Sequence, residues 1–196
     1  MTNMTQKVLY STKPAPVLHW QDTDQFNYGA APSDTATLDV TPAEWAKQDG
    51  NWYVVNGGLT QANPYAPTAA QLLNRAQIIQ KALVNASCVA AMTGGFISSA
   101  LGTANTYPST LTDQQNLAAS VVASLLPNLP STWTTKFWVM DSAGVWTLTP
   151  HTAAQIQQVG VDGKAWITTQ QETLAGLIAQ IDAAQTVAAV QSVLWP

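Results

Sequence analysis

The sequence predicts an α+β fold, with a small β-rich N-terminal module that contains a hairpin and a mainly helical C-terminal module that contains a second hairpin. The first observation behind this prediction is an Asn-Gly turn between two strand-like runs near the N-terminus. The second is the pair Pro64 and Pro67, which interrupts regular structure just before a long stretch of helical periodicity. We therefore assign residues 1–62 to the β-rich module, residues 63–67 to a proline-containing linker and residues 68–196 to the helical module.

The β-rich module is predicted to hold two early strands, a short helix and the first hairpin. Strand-like runs occupy residues 7–10 and 17–22. Thr41-Pro42-Ala43-Glu44 is typical of a helix start, because Thr caps, Pro fits the first helical position and Glu closes a capping box. The hairpin joins 51–55 to 59–61 through Asn56-Gly57-Gly58.

The helical module is predicted to begin with a long helix. Thr68 caps this helix, and Gln71 completes a second capping box. Apolar residues then recur at helical spacing until Thr93-Gly94 ends the pattern. The spacing of this stripe is also compatible with a homo-oligomer, and its members are Leu72, Ala76, Ile79, Leu83, Ala86 and Ala90.

The remaining elements follow in the order strand, loop, helix, hairpin, helix and short helix. We expect a strand at 96–101, a loop at 103–110 and a helix at 113–126 that Thr110 or Thr112 caps. The second hairpin pairs 136–140 with 145–148, and Thr149-Pro150 is predicted to open a helix that runs to about residue 184. A short helix covers 186–194.

Charge is scarce in this chain. Charged residues make up 9% of the sequence, compared with about 25% in an average soluble domain. Such a surface repels neighbours weakly and suits a protein that contacts partners, although a compositional bias explains it equally well. The net charge of −4, with no basic stripe, argues against nucleic-acid binding.

Nothing in the sequence predicts a membrane protein or a secreted one. No apolar run approaches the roughly 20 residues that a membrane span needs. Residues 1–12 hold one Lys and no apolar core, so we expect neither a signal peptide nor an anchor there. These features fit a protein that is made and used in the cytoplasm.

No catalytic, cofactor-binding or metal-binding residue is predicted. His19 and His151 lie in different modules, and neither metal-ligand spacing nor a phosphate-binding or nucleophile motif occurs. We expect His151 to cap a helix or lie on the surface, and Cys88 to be a small buried residue. Asp22 and Asp24 are typical of a turn. The sequence therefore favours a protein that is not an enzyme.

The eight tryptophans have two interpretations. Tryptophans bind sugars and are enriched at protein interfaces, but most of these lie where strands and helices should pack, so a core role is favoured for each. Trp138 and Trp146 are predicted to face each other or the same layer across the second hairpin. Trp52 and Tyr53 are the candidates for exposed, partner-binding aromatics.

The N-terminal segment resembles the tail-fibre assembly proteins of tailed bacteriophages. The order of several short motifs over about 50 residues carries this resemblance. The motifs are Val17-Leu18-His19-Trp20, Asp22-Thr23-Asp24, Pro32, the run from Leu38 to Trp45, the run from Trp52 to Leu59, and Pro64.

The C-terminal half resembles a domain of unknown function that recurs in the tail modules of tailed phages. Asn105 stands where we expect His in that domain, and the loop 127–135 is peculiar to this chain. Both departures argue against a shared polar site. The matching stretches run from Gly95 to Gly102, Asn105 to Tyr107, Asp113 to Leu117 and Ile181 to Ala184, together with the hairpin before His151 and Leu194-Trp195-Pro196.

The two resemblances imply an assembly protein, or chaperone, that binds a tail-fibre protein in the host cytoplasm and assists its folding or trimerisation. Fibre chains expose strand edges and apolar faces before they trimerise, and a charge-poor partner could cover them. The alternatives are a structural tail or baseplate component that stays on the virion at the fibre tip, and a carbohydrate-binding module. The implied partner is a tail-fibre protein, and no cofactor is implied.

Overall fold

A computed structural model describes residues 6–196. The prediction made for residues 1–12 therefore falls partly outside the described residues. The predicted α+β class is confirmed. The chain forms two compact units, the first ending at Thr68 and the second spanning Ala69–Pro196. None of the helices in the described range is long and apolar enough to cross a membrane.

The first unit contains a three-stranded antiparallel sheet, a short helix and a separate two-stranded hairpin. In the sheet, β1 lies between β2 and β3. The elements are β1 (Gln6–Ser11), β2 (Val17–Asp22), β3 (Thr35–Asp39), α1 (Pro42–Trp45), β4 (Tyr53–Val55) and β5 (Gly58–Thr60).

Local sequence signals explain two of these elements. Thr41 caps α1, and both hydrogen bonds of the predicted capping box with Glu44 are present. Asn56 and Gly57 both have positive φ, at 50° and 76°, as the tight turn between β4 and β5 requires. Both predictions are confirmed.

The second unit contains four helices and a four-stranded antiparallel sheet with strand order β6-β7-β8-β9. Its elements are α2 (Ala69–Thr93), β6 (Phe96–Ser98), β7 (Asn105–Tyr107), α3 (Leu111–Ser124), β8 (Thr134–Met140), β9 (Trp146–Thr152), α4 (Ala153–Ala183) and α5 (Val187–Gln191).

Three boundary predictions in this unit are wrong. The strand predicted at 96–101 ends at Ser98, because the chain then turns, with the N–H of Gly102 donating to the carbonyl of Ser99 at 2.8 Å. Residues 105–107, predicted as part of a loop, form β7 in the interior of the sheet, because pairing with β6 and β8 outweighs the low strand propensity of Asn. Pro150 lies in β9 instead of opening α4, since the hairpin pairing continues to Thr134 opposite Thr152. Thr152 is the cap of α4.

Two hydrophobic clusters stabilise the second unit. One lies between the inner face of the sheet, α3 and the first half of α4, and it includes Phe96, Tyr107, Phe137 and Ile156. The other joins α2, the second half of α4 and α5 around Ile181. The single helix α4 contributes to both clusters.

Two glycines allow α4 to pack closely in the first cluster. A Cβ on Gly160 would lie 2.8 Å from Cγ2 of Val121 in α3, and a Cβ on Gly163 would lie 2.9 Å from Cζ of Phe96 in β6. Glycine inside a helix is ordinarily unfavourable, by up to about 1 kcal/mol relative to Ala. The structure shows that both sit where a side chain would collide with a neighbour.

Candidate partner-binding surfaces

The outer face of the β8–β9 hairpin carries four large apolar side chains. Trp138 lies opposite Leu148, and Met140 lies opposite Trp146. Directly paired residues of an antiparallel ladder point to the same side, so all four share one face. Trp138 is 50% exposed and Trp146 is 44% exposed. The prediction that the two tryptophans face one layer is confirmed, and their predicted core role is wrong.

This apolar surface extends across the sheet. Thr106 of β7 pairs with Met140 on one side and with Ile97 of β6 on the other. Ile97 is exposed, whereas its neighbours Phe96 and Ser98 are buried on the inner face. We call the resulting surface the outer sheet face, and its residues are Ile97, Thr106, Trp138, Met140, Trp146 and Leu148.

The start of α3 borders one side of the outer sheet face. Pro108 and Asp113 line a shallow hollow of about 320 Å³ together with Trp138 and Trp146. The Asp113 carboxylate accepts a hydrogen bond from the backbone N–H of Thr110 at 3.0 Å. The charge at this margin is therefore held in place by the helix cap, while the floor of the hollow is aromatic.

The strand β9 forms an unpaired edge beside this face. No strand in the described chain pairs with its second edge, and its seven residues include no Asp, Glu, Lys or Arg. Natural sheets protect exposed edges with charges, with Pro or with short strands. The opposite edge strand, β6, has only three residues, whereas β9 carries Pro150 as its single protective residue.

Pro150 also fixes which backbone groups of β9 point outward. Proline has no N–H, so the pair that Pro150 forms with Lys136 is a non-hydrogen-bonded pair of the antiparallel ladder. The carbonyl of Val145, at the neighbouring kind of position, points toward β8, where it accepts a hydrogen bond from the N–H of Asp141 at 3.2 Å. By this alternation, Trp146 and Leu148 direct their N–H and C=O groups toward the free edge.

A second apolar surface lies on α2. The predicted stripe is present, but most of it is not the side on which the helix packs. Leu72, Ile79, Leu83, Ala86 and Ala90 are exposed, and only Ala76 contacts the cluster around Ile181. The buried residues of α2 are Gln80, Val84 and Cys88.

Polar contacts explain why this other side of α2 is buried. The Gln80 side chain donates to the carbonyl of Val193 at 2.7 Å, and Gln77 donates to the carbonyl of Ile181 at the end of α4. Lys81 forms an ion pair with Asp182 at 2.5 Å. Since glutamine carries no apolar signal, hydropathy alone favoured the wrong side of the helix.

Residues 75–193, more than half of the chain, match the family described as a domain of unknown function, DUF4376. The chain belongs to this family. No curated protein and no solved structure matches the chain.

The DUF4376 region contains every residue of the outer sheet face, the β9 edge and the α2 stripe except Leu72. The first unit, and with it Trp52 and Tyr53, lies outside this region. Both surfaces therefore lie in the DUF4376 domain, apart from Leu72 at the start of the α2 stripe.

The prediction that Trp52 and Tyr53 are exposed is wrong, because their side chains are buried, at 9% and 7% exposure. The Trp52 indole N–H donates to the carbonyl of Asp49 at 2.9 Å, and its ring meets that of Trp20 edge to face. Tyr53 contacts Tyr65 in the same manner. Neither ring presents its face to a ligand.

The exposed aromatic residues of the first unit are different ones. Phe26, Tyr28 and Tyr65 are exposed, and Tyr28 contacts both Phe26 and His19 edge to face. Phe26 and Tyr28 follow the turn at Asp22, whose carboxylate accepts from the N–H of Asp24 at 3.1 Å. The predicted turn is confirmed. The run Phe26-Asn27-Tyr28 after this turn, in which two aromatic residues flank Asn27, was the sequence signal for this exposed pair, and it was not singled out above.

His151 in the DUF4376 region is fully buried, so its expected place at a helix cap or on the surface is corrected. Its Nε2 lies 2.9 Å from the Tyr107 hydroxyl, and its Nδ1 lies 2.9 Å from the Thr149 carbonyl oxygen. Desolvation lowers the pKa of His151, with an opposing contribution from the bond to Thr149. Desolvation and the charge of Asp162 raise the pKa of Tyr107 to about 12. This arrangement suits a neutral, structural imidazole.

The other reactive side chains in the described part of the chain also have structural environments. Cys88 is buried, as predicted, and desolvation raises the pKa of its thiol. The Ser98 hydroxyl donates to Asp162 at 2.5 Å, and Gln158 donates to the other oxygen of that carboxylate at 2.7 Å. Within residues 6–196, no three potential metal ligands cluster.

Proposed function

We propose that this chain is an assembly protein for a tail fibre of a tailed bacteriophage, and that it holds an unassembled fibre segment on the outer sheet face. The observation that carries the proposal is the position of half-exposed Trp138 and Trp146 beside the uncharged edge of β9. Fibre chains expose strand edges and apolar surface before they trimerise. The likeness of residues 17–64 to fibre assembly proteins supports the choice of partner.

The β9 edge and the outer sheet face would together cover the exposed backbone and the exposed apolar side chains of an unassembled fibre strand. The outward N–H and C=O groups of Trp146 and Leu148 would bond to the backbone of an added strand, as in other cases of strand addition. The two indole rings would cover apolar side chains of that strand, and aromatic rings contribute strongly to binding energy. The β9 strand itself carries no charged residue, so the charged groups near an added strand would be Asp113 and Lys136, which line the hollows around Trp138.

Co-expression with a tail-fibre protein from the same genome tests the proposal. We expect soluble fibre trimers with the natural chain and insoluble fibre with the double variant Trp138→Ser, Trp146→Ser. Phe26→Ser is the matched control, because Phe26 is an exposed aromatic residue in the other unit. A fibre that trimerises equally well without this chain would overturn the proposal.

The fate of the protein after assembly is a separate question. A chaperone acts in the host cytoplasm and leaves, whereas a structural component stays at the fibre tip or baseplate. Mass spectrometry of purified virions separates the two, because the natural chain would be scarce in the first case and stoichiometric with the fibre in the second.

Carbohydrate binding is a second candidate function, and the observation that favours it is the pair of exposed indoles on one sheet face. Aromatic faces that stack on sugar rings are a common basis of carbohydrate recognition. Trp138 and Trp146 replace Trp52 and Tyr53 as the residues for this role. A glycan array that gives a signal lost in Trp146→Ala would support it, and a silent array would exclude it.

A further inference from the structure

The first unit contains a pocket on the side of its sheet that faces away from the core. Val8 and Trp20 pair across β1 and β2 on the core side, where Val8 is fully buried and Trp20 meets Trp52 edge to face. Successive side chains of a strand point to opposite sides, so the neighbouring pair of Lys7 and Gln21 lies on the other side. We call that side the polar sheet face, and its residues used below are Lys7, His19, Gln21 and Thr37.

The segment that follows β2 folds back over the polar sheet face. The Asp22 carboxylate accepts a hydrogen bond from the N–H of Asp24 at 3.1 Å, which holds the turn. The N–H of Asp22 donates to the Tyr28 hydroxyl at 3.2 Å, and the Tyr28 ring meets that of His19 edge to face at 5.6 Å. Because His19 belongs to the polar sheet face, these two contacts place Tyr28 above it. The segment thus forms a wall beside the sheet.

This wall and the polar sheet face line a pocket of about 490 Å³. Pockets that bind small molecules in proteins commonly measure about 300–1,000 Å³. Lys7, Gln21 and Thr37 contribute from the sheet, and Phe26 and Tyr28 contribute from the wall. Phe26 is 61% exposed and Tyr28 is 37% exposed, so both rings are accessible to a ligand.

Gln21 is the residue that points to a ligand. It is buried, at 8% exposure, yet its carboxamide has no hydrogen-bond partner among the residues that the structure describes. Within the same residues, no side-chain N or O atom is both fully buried and unpaired. Both polar atoms of the Gln21 amide are therefore accessible, and the space they reach is the pocket that Gln21 lines. Since buried polar groups are normally hydrogen-bonded, a ligand that both donates and accepts would complete this environment.

We propose that this pocket binds a neutral sugar ring, and that Gln21 recognises its hydroxyl groups. A carboxamide has an acceptor oxygen and two N–H donors, and a sugar hydroxyl likewise donates and accepts. The rings of Phe26 and Tyr28 supply apolar surface for the C–H groups of the sugar. This role is separate from both functions proposed for the outer sheet face, which lies in the other unit.

The charges around the pocket favour a neutral ligand. Its described lining holds two charged side chains, Lys7 and Asp24. The Lys7 ammonium lies 3.3 Å from the Asp39 carboxylate, so its charge is already compensated and is not free for an anionic sugar. The Asp24 carboxylate would repel such a sugar, while Lys7 in the sheet would oppose a cationic one. A ring that carries only hydroxyl groups meets neither penalty.

NMR titration of the full chain with the methyl glycosides of glucose, galactose and mannose tests this proposal. With at least one of them, the Gln21 side-chain amide and the backbone amides of residues 23–29 should shift in a saturable manner. We expect a dissociation constant in the millimolar range, because the pocket is open and offers few hydrogen bonds. Gln21→Leu retains the approximate size of the side chain but removes its polar atoms, so affinity should fall about tenfold.

Phe26→Ser is the second test variant, because an exposed side chain can be replaced with little risk to the fold. It should also weaken sugar binding. Tyr65→Ser is its matched control, since Tyr65 is an exposed aromatic residue of the same unit that does not line the pocket. The double variant Trp138→Ser, Trp146→Ser should bind the sugar normally, whereas Phe26→Ser should still support fibre assembly. Failure of either proposal would thus leave the other intact.

Two further titrations define the ligand. Methyl glycosides represent a sugar at the end of a glycan chain, and unmodified hexoses represent a free sugar. Binding of the glycosides supports a chain-terminal ring, and binding of the unmodified hexoses alone supports a free one; both results support the site. Glucuronic acid should bind more weakly than glucose, because its carboxylate meets Asp24.

Three results would overturn the proposal. The first is the absence of saturable shifts in residues 21–29 with every neutral sugar. The second is undiminished binding in both Gln21→Leu and Phe26→Ser. The third is tighter binding of glucuronic acid than of glucose, which would contradict the neutral class of ligand.

Discussion

The hydroxyl of Tyr107 lies 2.9 Å from Nε2 of His151, and both side chains are fully buried between the sheet and α4. Because the second ring nitrogen of His151 lies 2.9 Å from the carbonyl oxygen of Thr149, a neutral imidazole satisfies both contacts. Nδ1–H donates to Thr149, and Nε2 accepts the Tyr107 proton. A protonated imidazole would have two donors and would lose the bond from Tyr107.

Stability should therefore fall as the solution becomes mildly acidic. The pKa of His151 is lower in the folded chain than in the unfolded chain, so the unfolded chain binds more protons between the two values. The contribution of His151 is fully present above the ordinary pKa and is lost as the pH falls from there toward the folded pKa. Urea unfolding at a series of pH values should show this loss for the natural chain.

The matched controls for the pH series are the two histidine variants. His151→Gln should remove this part of the pH dependence, whereas His19→Gln should retain it, since His19 is exposed. Equal pH profiles for the natural chain and for His151→Gln would contradict the assignment.

Removal of the Tyr107 hydroxyl should destabilise the second unit. Tyr107→Phe keeps the ring stacked between Phe96 and Phe137 but leaves Nε2 of His151 without a partner in a buried site. An unsatisfied buried polar group costs about 1–3 kcal/mol. Tyr65→Phe, at an exposed ring, should change the free energy of unfolding by much less; a similar effect in both variants would be inconsistent with the buried bond.

Two glycines of the same helix should respond in opposite ways to alanine. At Gly163 the new methyl would lie 2.9 Å from the Phe96 ring, and overpacking of this kind costs about 1–3 kcal/mol. At Gly176 no atom lies within 4 Å of the new Cβ, so Gly176→Ala should stabilise α4 by up to about 1 kcal/mol. Thermal unfolding of both variants checks the signs, and stabilisation by Gly163→Ala would refute the close approach.

Cys88 should react slowly with thiol reagents in the folded chain. It is 1% exposed, and desolvation raises the pKa of its thiol, so little thiolate is available to the reagent. Ala86→Cys provides the comparison, because residue 86 is exposed on the same helix two positions away. The added thiol should react rapidly while Cys88 reacts only on unfolding; equal rates at both positions would contradict the burial.

The elements that were predicted well are those whose signals are local. The capping box at Thr41 was visible as a polar residue three positions before Glu44, and Thr110 was one of the two caps predicted for α3. The Asn56-Gly57 turn was visible as a dipeptide that tolerates positive φ. Such features depend on neighbouring residues only, so the sequence is sufficient to locate them.

The candidate surfaces could be predicted only in part. The spacing of the apolar stripe on α2 was readable from the sequence, but its exposure was not, because the opposite side of the helix is held by Gln77, Gln80 and Lys81 through contacts with residues about 100 positions later. For the same reason, the exposure of Trp52 and Tyr53 was predicted wrongly. Whether an aromatic ring is covered depends on partners that are distant in sequence.

By itself, the sequence determined the α+β class, the capping box of α1, the two hairpin turns and the absence of recognisable catalytic motifs, because each follows from residue types at short spacing. The tertiary structure alone decided that Trp138 and Trp146 are exposed beside an unpaired edge of β9, that His151 is buried against Tyr107, and that most of the apolar stripe on α2 is exposed to solvent. Burial is a property of the packed chain, where long-range contacts compete for each face of a helix or sheet.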